Sequence, residues 1–172
     1  MLNLILYTII IAAGSGAGYL MARTYENRIL HLQDLITALK VLEAEMKYRR
    51  DPLPVLFNRI GQFNSGLAGE FFLHVCNGLK GEFSYDFYGS WLSAVNEVYG
   101  DSSLTDGDRE VLSEVGIELG KTDLSSQQSI FERVYSRLGQ KVAEAERDKK
   151  TKGKMYQALG TAAGVLVVIV LL

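Results

Sequence analysis

Charged positions are sharply segregated along this chain. Residues 1–22 and 155–172 contain no Asp, Glu, Lys, Arg or His, and all ionisable side chains of these types fall between Arg23 and Lys154. A helix crossing a hydrocarbon core of roughly 30 Å needs about 20 residues, most of them apolar. Both uncharged ends therefore predict transmembrane helices, residues 1–22 and 155–172, around a 132-residue polar middle that predicts one helical domain.

Within that middle the apolar period is helical. Leu32, Leu35, Leu39, Leu42 and Met46 alternate steps of three and four, and no breaker separates them from the first span. One long helix to about Tyr48 is expected, stopped by Asp51-Pro-Leu-Pro54 because proline disfavours helix at the residue before it and suits the first turn of the next. Leu53, Leu56, Phe57, Ile60 and Phe63 then form the apolar face of a second helix. Asn64-Ser-Gly reads as a turn, with Asn64 or Ser65 capping a third helix through Phe71, Phe72 and Val75.

After a glycine break at Gly78 and Gly81, an aromatic-rich stretch from Tyr85 to Tyr99 predicts a fourth helix. Thr105 is the expected cap of a fifth, with Asp106, Asp108 and Glu110 near its positive end and Val111, Leu112, Val115 and Leu119 facing the core. Asp123 is the expected cap of a sixth helix through Phe131, Val134, Leu138, Val142 and Ala145, which continues without proline into the second span. No stretch alternates with period two, so the fold class is all-α: a bundle of about six helices, the first and last continuous with two transmembrane helices. Two long helices leaving one membrane face start side by side, which favours antiparallel pairing of the first and last soluble helices.

The flanks of the spans carry the orientation. The first span is followed by Arg23 and Arg28, and the second is preceded by Arg147-Asp-Lys-Lys-Thr-Lys-Gly-Lys154, so both basic ends place the middle in the cytoplasm. A cleaved signal peptide would carry bases ahead of its apolar run, and none occurs here; an uncleaved anchor is expected. Each span also has small residues four apart, Gly14 with Gly18 and Gly160 with Gly164, a spacing that lets helix backbones approach closely. Gly14-x-Gly-x-Gly18 lacks the preceding strand and later acid of a dinucleotide loop.

Composition narrows the function classes. A net charge of −2 does not suit a nucleic-acid binder. One cysteine, Cys76, and two histidines, His31 and His74, offer no zinc spacing and no helical Cys-His pair, and there is no phosphate-cradling Gly-x-x-x-x-Gly-Lys-Ser/Thr loop. No cofactor, metal or catalytic residue is expected. Glu43 and Glu45 lie two apart and do not share a helix face. The charges themselves are patterned: residues 82–123 hold ten acids against two bases, and residues 133–154 hold eight bases against three acids. Lys149, Lys150, Lys152 and Lys154 are therefore expected against anionic lipid headgroups, and Asp106, Asp108, Glu110 and Glu114 on a cytoplasmic partner surface.

Several of these segments together resemble one family. Leu39-Lys-Val-Leu-Glu-Ala-Glu-Met-Lys-Tyr48 before Pro52-Leu-Pro54, Leu104-Thr-Asp-Gly-Asp-Arg-Glu-Val-Leu112, Leu119-Gly-Lys-Thr-Asp123 with Gln127, and Leu159-Gly160 resemble the stage III sporulation protein AB family over the whole chain. Leu42, Glu43, Glu45, Tyr48 and Pro52 form the most specific part. The soluble region of that family is similar to the cytoplasmic helical domains of type II secretion F and type IV pilus platform proteins. The resemblance implies a non-enzymatic platform in a channel-like machine between mother cell and forespore, with a cytoplasmic secretion-type ATPase and ring-forming membrane proteins as partners. Platform proteins generally have two such domains and more spans; a single domain on two spans implies self-association. Two other readings stay open: a membrane-anchored adaptor without an ATPase, and a small hydrolase using Cys76, Glu43 or Asp108.

Overall fold

The computed structural model describes residues 2–48, 51–80, 86–121 and 127–171, with side chains given for residues 7–48, 51–80, 86–119 and 129–170. All regular secondary structure among them is helical. The helices are α1 (Leu2–Tyr48), α2 (Leu53–Phe63), α3 (Leu67–Lys80), α4 (Phe87–Tyr99), α5 (Asp106–Lys121) and α6 (Gln127–Asp148), the last continuing through a π-helical turn (Lys149–Gly153) into α7 (Lys154–Leu171). The chain divides into two compact units: residues 1–29 with 143–172, and residues 30–142. Helices α1 and α6 each contribute to both.

The second unit is an aromatic-centred bundle. Leu32, Leu35, Ala38, Leu39 and Leu42 of α1 are completely buried, as the three-and-four period requires. Trp91 of α4 lies at the centre, with Phe71 edge-on at 4.8 Å and 88°, and Phe57, Phe72 and Phe87 within 6.3 Å. Edge-to-face geometry brings the positive edge of one ring to the negative face of another. The indole N–H donates to the Leu112 carbonyl of α5 at 2.8 Å, so its buried polar atom is satisfied. Gly116, one turn on, makes this approach feasible: a Cβ there would sit 2.4 Å from Trp91 Cδ1.

Local expectations fare unevenly. Pro52 caps α2 through its carbonyl, which accepts from Val55 and Leu56 N–H, and Pro54 stands in the first turn. Asn64, expected to open α3, instead closes α2: its backbone N–H and its side-chain amide both donate to the Ile60 carbonyl. Gly66 then turns the chain at φ +75° into α3, a conformation glycine adopts without steric cost. Phe63, expected in the core, is 83% exposed, because it ends α2 at this turn and no described element covers it. Asp86 caps α4 by accepting from Gly89 N–H at 2.8 Å. The expected cap at Asp123, the helix start at Tyr85 and the break at Gly81 lie outside the described residues.

In the first unit, residues 1–29 and 143–172 run antiparallel: Gly14 meets Gly160 and Gly164, Gly18 meets Tyr156 and Gly160, and Ala22 meets Gly153. Two membrane spans are expected from sequence; among the described residues one helix, Ser129–Val170, is long and apolar enough to cross a membrane. Its apolar window is only 11% buried, unlike the core helix of a globular domain. The expected first span opens with residues 1–6, whose side chains lie outside the described residues.

Two substitutions separate close approach from open space in the bundle. Gly116→Ala drives a methyl into Trp91 and is expected to cost about 1–3 kcal/mol, as overpacking does. Gly139→Ala, with nothing within 4 Å of the added Cβ, is expected to gain about 0.5–1 kcal/mol from helix propensity. Thermal unfolding of the purified full chain, followed by circular dichroism, should move in opposite directions for the two.

Candidate functional site

The groups with chemical potential are scattered through the bundle. Cys76 is buried and donates to the Pro54 carbonyl at 3.2 Å, while His74 on the same helix sits 2.8 Å from Glu97 Oε2. The two therefore engage different neighbours and form no thiol-imidazole pair. Ser93 donates to the other oxygen of Glu97 at 2.9 Å, and these bonds, Ser93 first and then His74, hold the Glu97 carboxyl below its usual range. The acid stands between serine and imidazole, so the imidazole cannot take the serine proton. No cluster of three or more potential metal ligands occurs among the described residues.

The acidic set expected as a partner surface is split by the fold. Asp108 is completely buried. Its Oδ2 accepts from Thr105 N–H at 2.9 Å while Thr105 Oγ1 accepts from Asp108 N–H at 3.3 Å, the reciprocal capping box that satisfies two otherwise orphaned donors of α5. Asp106 pairs with Arg109, Glu114 with Arg137, and Glu118 with Arg133 at 3.3 Å. The acidic and basic stretches that are segregated in sequence thus partly neutralise each other in space. Glu110 remains exposed.

The motif residues of the family resemblance are mostly structural. Leu42 is fully buried. Glu43 accepts from the Tyr135 hydroxyl at 2.8 Å and Glu45 binds Arg59 at 2.6 Å, with Asp51 on the same guanidinium at 3.2 Å. The two acids thus point to different partners, as their spacing of two predicts. Tyr48 is 81% exposed. Asp123 lies outside the described residues, and Gln127 begins α6 with its side chain outside them.

The most concentrated polar site lies in the first unit. The four span glycines meet there: a Cβ on Gly14 would fall 2.7 Å from the Gly160 carbonyl oxygen, one on Gly18 2.6 Å from that of Tyr156, and one on Gly164 3.1 Å from the Ile11 Cα. Towards the charged end, Lys149 binds Glu26 at 2.9 Å and Arg28 reaches both Glu144 and Asp148 at 3.3 Å. Arg28 is only 3% exposed, a guanidinium whose burial is tolerated because two carboxylates meet it. Lys152 binds Asp148 at 2.8 Å. Arg23, Lys150 and Lys154 border a cavity beside these pairs. Sequence reasoning found the lysines by their clustering, but missed Arg28 and its acids, whose partners stand 116 and 120 residues away.

These features define a class: an all-α protein with a helix able to span a membrane, a glycine-packed helix pair and a separate helical bundle. A sequence model of the Stage III sporulation protein AB family matches residues 3–172, and the chain belongs to that family. It is 30% identical over 173 residues to stage III sporulation protein AB of Bacillus subtilis (strain 168), covering all of both chains. A solved structure of stage III sporulation protein AB (SpoIIIAB) superposes with a TM-score of 0.66 at 26% identity, covering 73% of this chain and 98% of that one.

Two outcomes check the geometry. Asp108→Ala breaks the capping box and is expected to cost about 1–2 kcal/mol in chemical denaturation, against less than about 0.5 kcal/mol for the exposed Glu110→Ala. Ala22 Cβ lies 4.0 Å from the position of a Gly153 Cβ, within the range of roughly 3.5–4.5 Å of disulfides. Ala22→Cys with Gly153→Cys, in a Cys76→Ser background, should close a disulfide on mild oxidation, seen as a shift on non-reducing gels. Adding Gly18→Leu should suppress it.

Proposed function

We propose that the chain is a non-enzymatic platform subunit of a sporulation complex, holding a cytoplasmic secretion-type ATPase against ring-forming membrane proteins between mother cell and forespore. The observation that carries this reading is the division of the chain: its two uncharged ends supply a helix pair, and its charged middle supplies a separate helical unit. Both uncharged runs are read as spans with their basic ends at the cytoplasmic face, so residues 30–142 lie in the cytoplasm. Family membership supports the setting.

The mechanism is contact rather than bond chemistry. In the bundle, Cys76, Asp108, Glu43 and Glu45 are engaged by neighbouring groups within the fold. Tyr48 and Phe63 are large apolar side chains more than four-fifths exposed, and such residues are candidates for partner contact. The exposed Glu110 adds negative charge for a basic partner. Glycine-mediated helix packing of the kind joining the two runs also suits association between copies of the chain.

Two measurements test this. In a Cys76→Ser background, Tyr48→Cys should react with a membrane-impermeant maleimide only after the cytoplasmic face is opened; labelling in intact cells would reverse the orientation. Affinity purification of the full chain from sporulating cells should recover the ATPase, and removal of residues 30–142 should lose it while the remainder stays in the membrane. Retention of the same partners without those residues would overturn the platform reading. Recovery of a soluble partner with no ATPase would favour an adaptor instead.

A further inference from the structure

We propose that the cleft between residues 19–29 of α1 and residues 146–157 binds the phosphate of one anionic phospholipid headgroup. The cavity there has a volume of about 580 Å³ and is lined by Arg23, Lys150 and Lys154, with Tyr19 and Gln157 at its membrane-proximal side. This site deepens the membrane reading given above and rests on it.

Charge accounting within the cleft points to an anion. Lys149 is occupied by Glu26, and the neighbouring Lys152 by Asp148. Arg23, Lys150 and Lys154 are exposed and have no hydrogen bond or ion pair to any described residue. The lining totals four bases against two acids, Glu26 and Glu146, so it holds an excess of positive charge even with the internal pair formed. A phosphate takes up this excess, with the planar guanidinium of Arg23 suited to two oxygens and the lysines acting as point charges.

The backbone supplies the room. Gly153 closes the π-helical turn, and the position its Cβ would occupy is 4.0 Å from both Ala22 Cβ and Lys149 Cγ. A larger residue at either position would fill the cleft from its floor. Single π turns inside α-helices recur at functional sites because the extra residue widens the local backbone.

Location selects a lipid over a free phosphate. The cleft stands where the first uncharged run ends, at Ala22, and the second begins, at Met155, which is headgroup depth if those runs span the bilayer. Leu20, Met155 and Leu159 are 65%, 48% and 55% exposed, providing apolar surface for acyl chains. A soluble phosphate would make no use of it.

The full chain in neutral detergent, titrated with phosphatidylglycerol and analysed by native mass spectrometry, should retain one lipid per chain with saturation, and phosphatidylcholine should not compete. At roughly fivefold in affinity per cationic residue, Arg23→Gln with Lys150→Gln and Lys154→Gln should weaken retention about a hundred-fold. Lys40→Gln with Lys47→Gln and Lys80→Gln should leave it unchanged. Should the first triple variant fail to fold, judged by circular dichroism, each single replacement is measured in its place, with an expected loss of about fivefold. Equal retention of phosphatidylcholine, undiminished binding by the cleft variants, or displacement by glycerol phosphate would overturn the proposal. Resistance of the chain to alkaline extraction from membranes reports on the spans independently, so loss of lipid selectivity with retained extraction resistance rejects the site alone.

Discussion

Where the glycines of α1 and α7 meet there is no room for a side chain, and the register of the first unit follows from that. At Gly14, Gly18 and Gly160 a Cβ would fall within 2.7 Å of a backbone carbonyl oxygen of the facing helix. Within a bilayer, lipid tails are as apolar as leucine, so helices gain little from hydrophobic burial and associate through backbone proximity and van der Waals contact. Once Gly14 and Gly18 face Gly160, antiparallel geometry sets Ala22 opposite Gly153 and brings Glu26 to Lys149. The cleft lined by Arg23, Lys150 and Lys154 lies along this same register.

Arg28 is the other consequence of that pairing. A buried guanidinium is costly to desolvate and is tolerated when its donors are met by carboxylates. Glu144 and Asp148, one turn apart, both reach it, and Asp148 is shared with Lys152. A shift of the helix pair by one turn would leave Arg28 with one of its two acids and bring Gln140 or Lys152 to the place of the other, so this network discriminates against alternative registers. Glycine contact permits a close pair; the buried charge selects one alignment of it.

The bundle of residues 30–142 follows a different logic. Its rings converge on Trp91, whose N–H is spent on α5 and whose face depends on Gly116 having no side chain. Burial of apolar surface there is the ordinary driving force of a water-soluble core. Polar groups near the core serve local structure, with Asp108 closing the start of α5 and Cys76 donating to a carbonyl. A chain built this way suits a sporulation protein that acts by holding partners, and family membership and the division of the chain both support that reading.

How much was legible follows from the range of each signal. The proline break before α2, the end of α1 at Tyr48 and the buried faces of α1, α5 and α6 are readable because helix periodicity and backbone restriction act within a few residues. The four glycines are readable as a face, and absence of charge marks both apolar ends. The partner of each charge is not readable. Asp108 looks like one acid among several but is buried in a cap; Phe63 fits an apolar face but ends its helix where the chain turns. Arg28 meets acids 116 and 120 residues away. The sequence by itself determined the helices and the segregation of charge, since those depend on neighbours along the chain. Only the tertiary structure decided which ions neutralise each other and which three line a cleft unpaired, since Coulomb and steric contacts depend on distance in space.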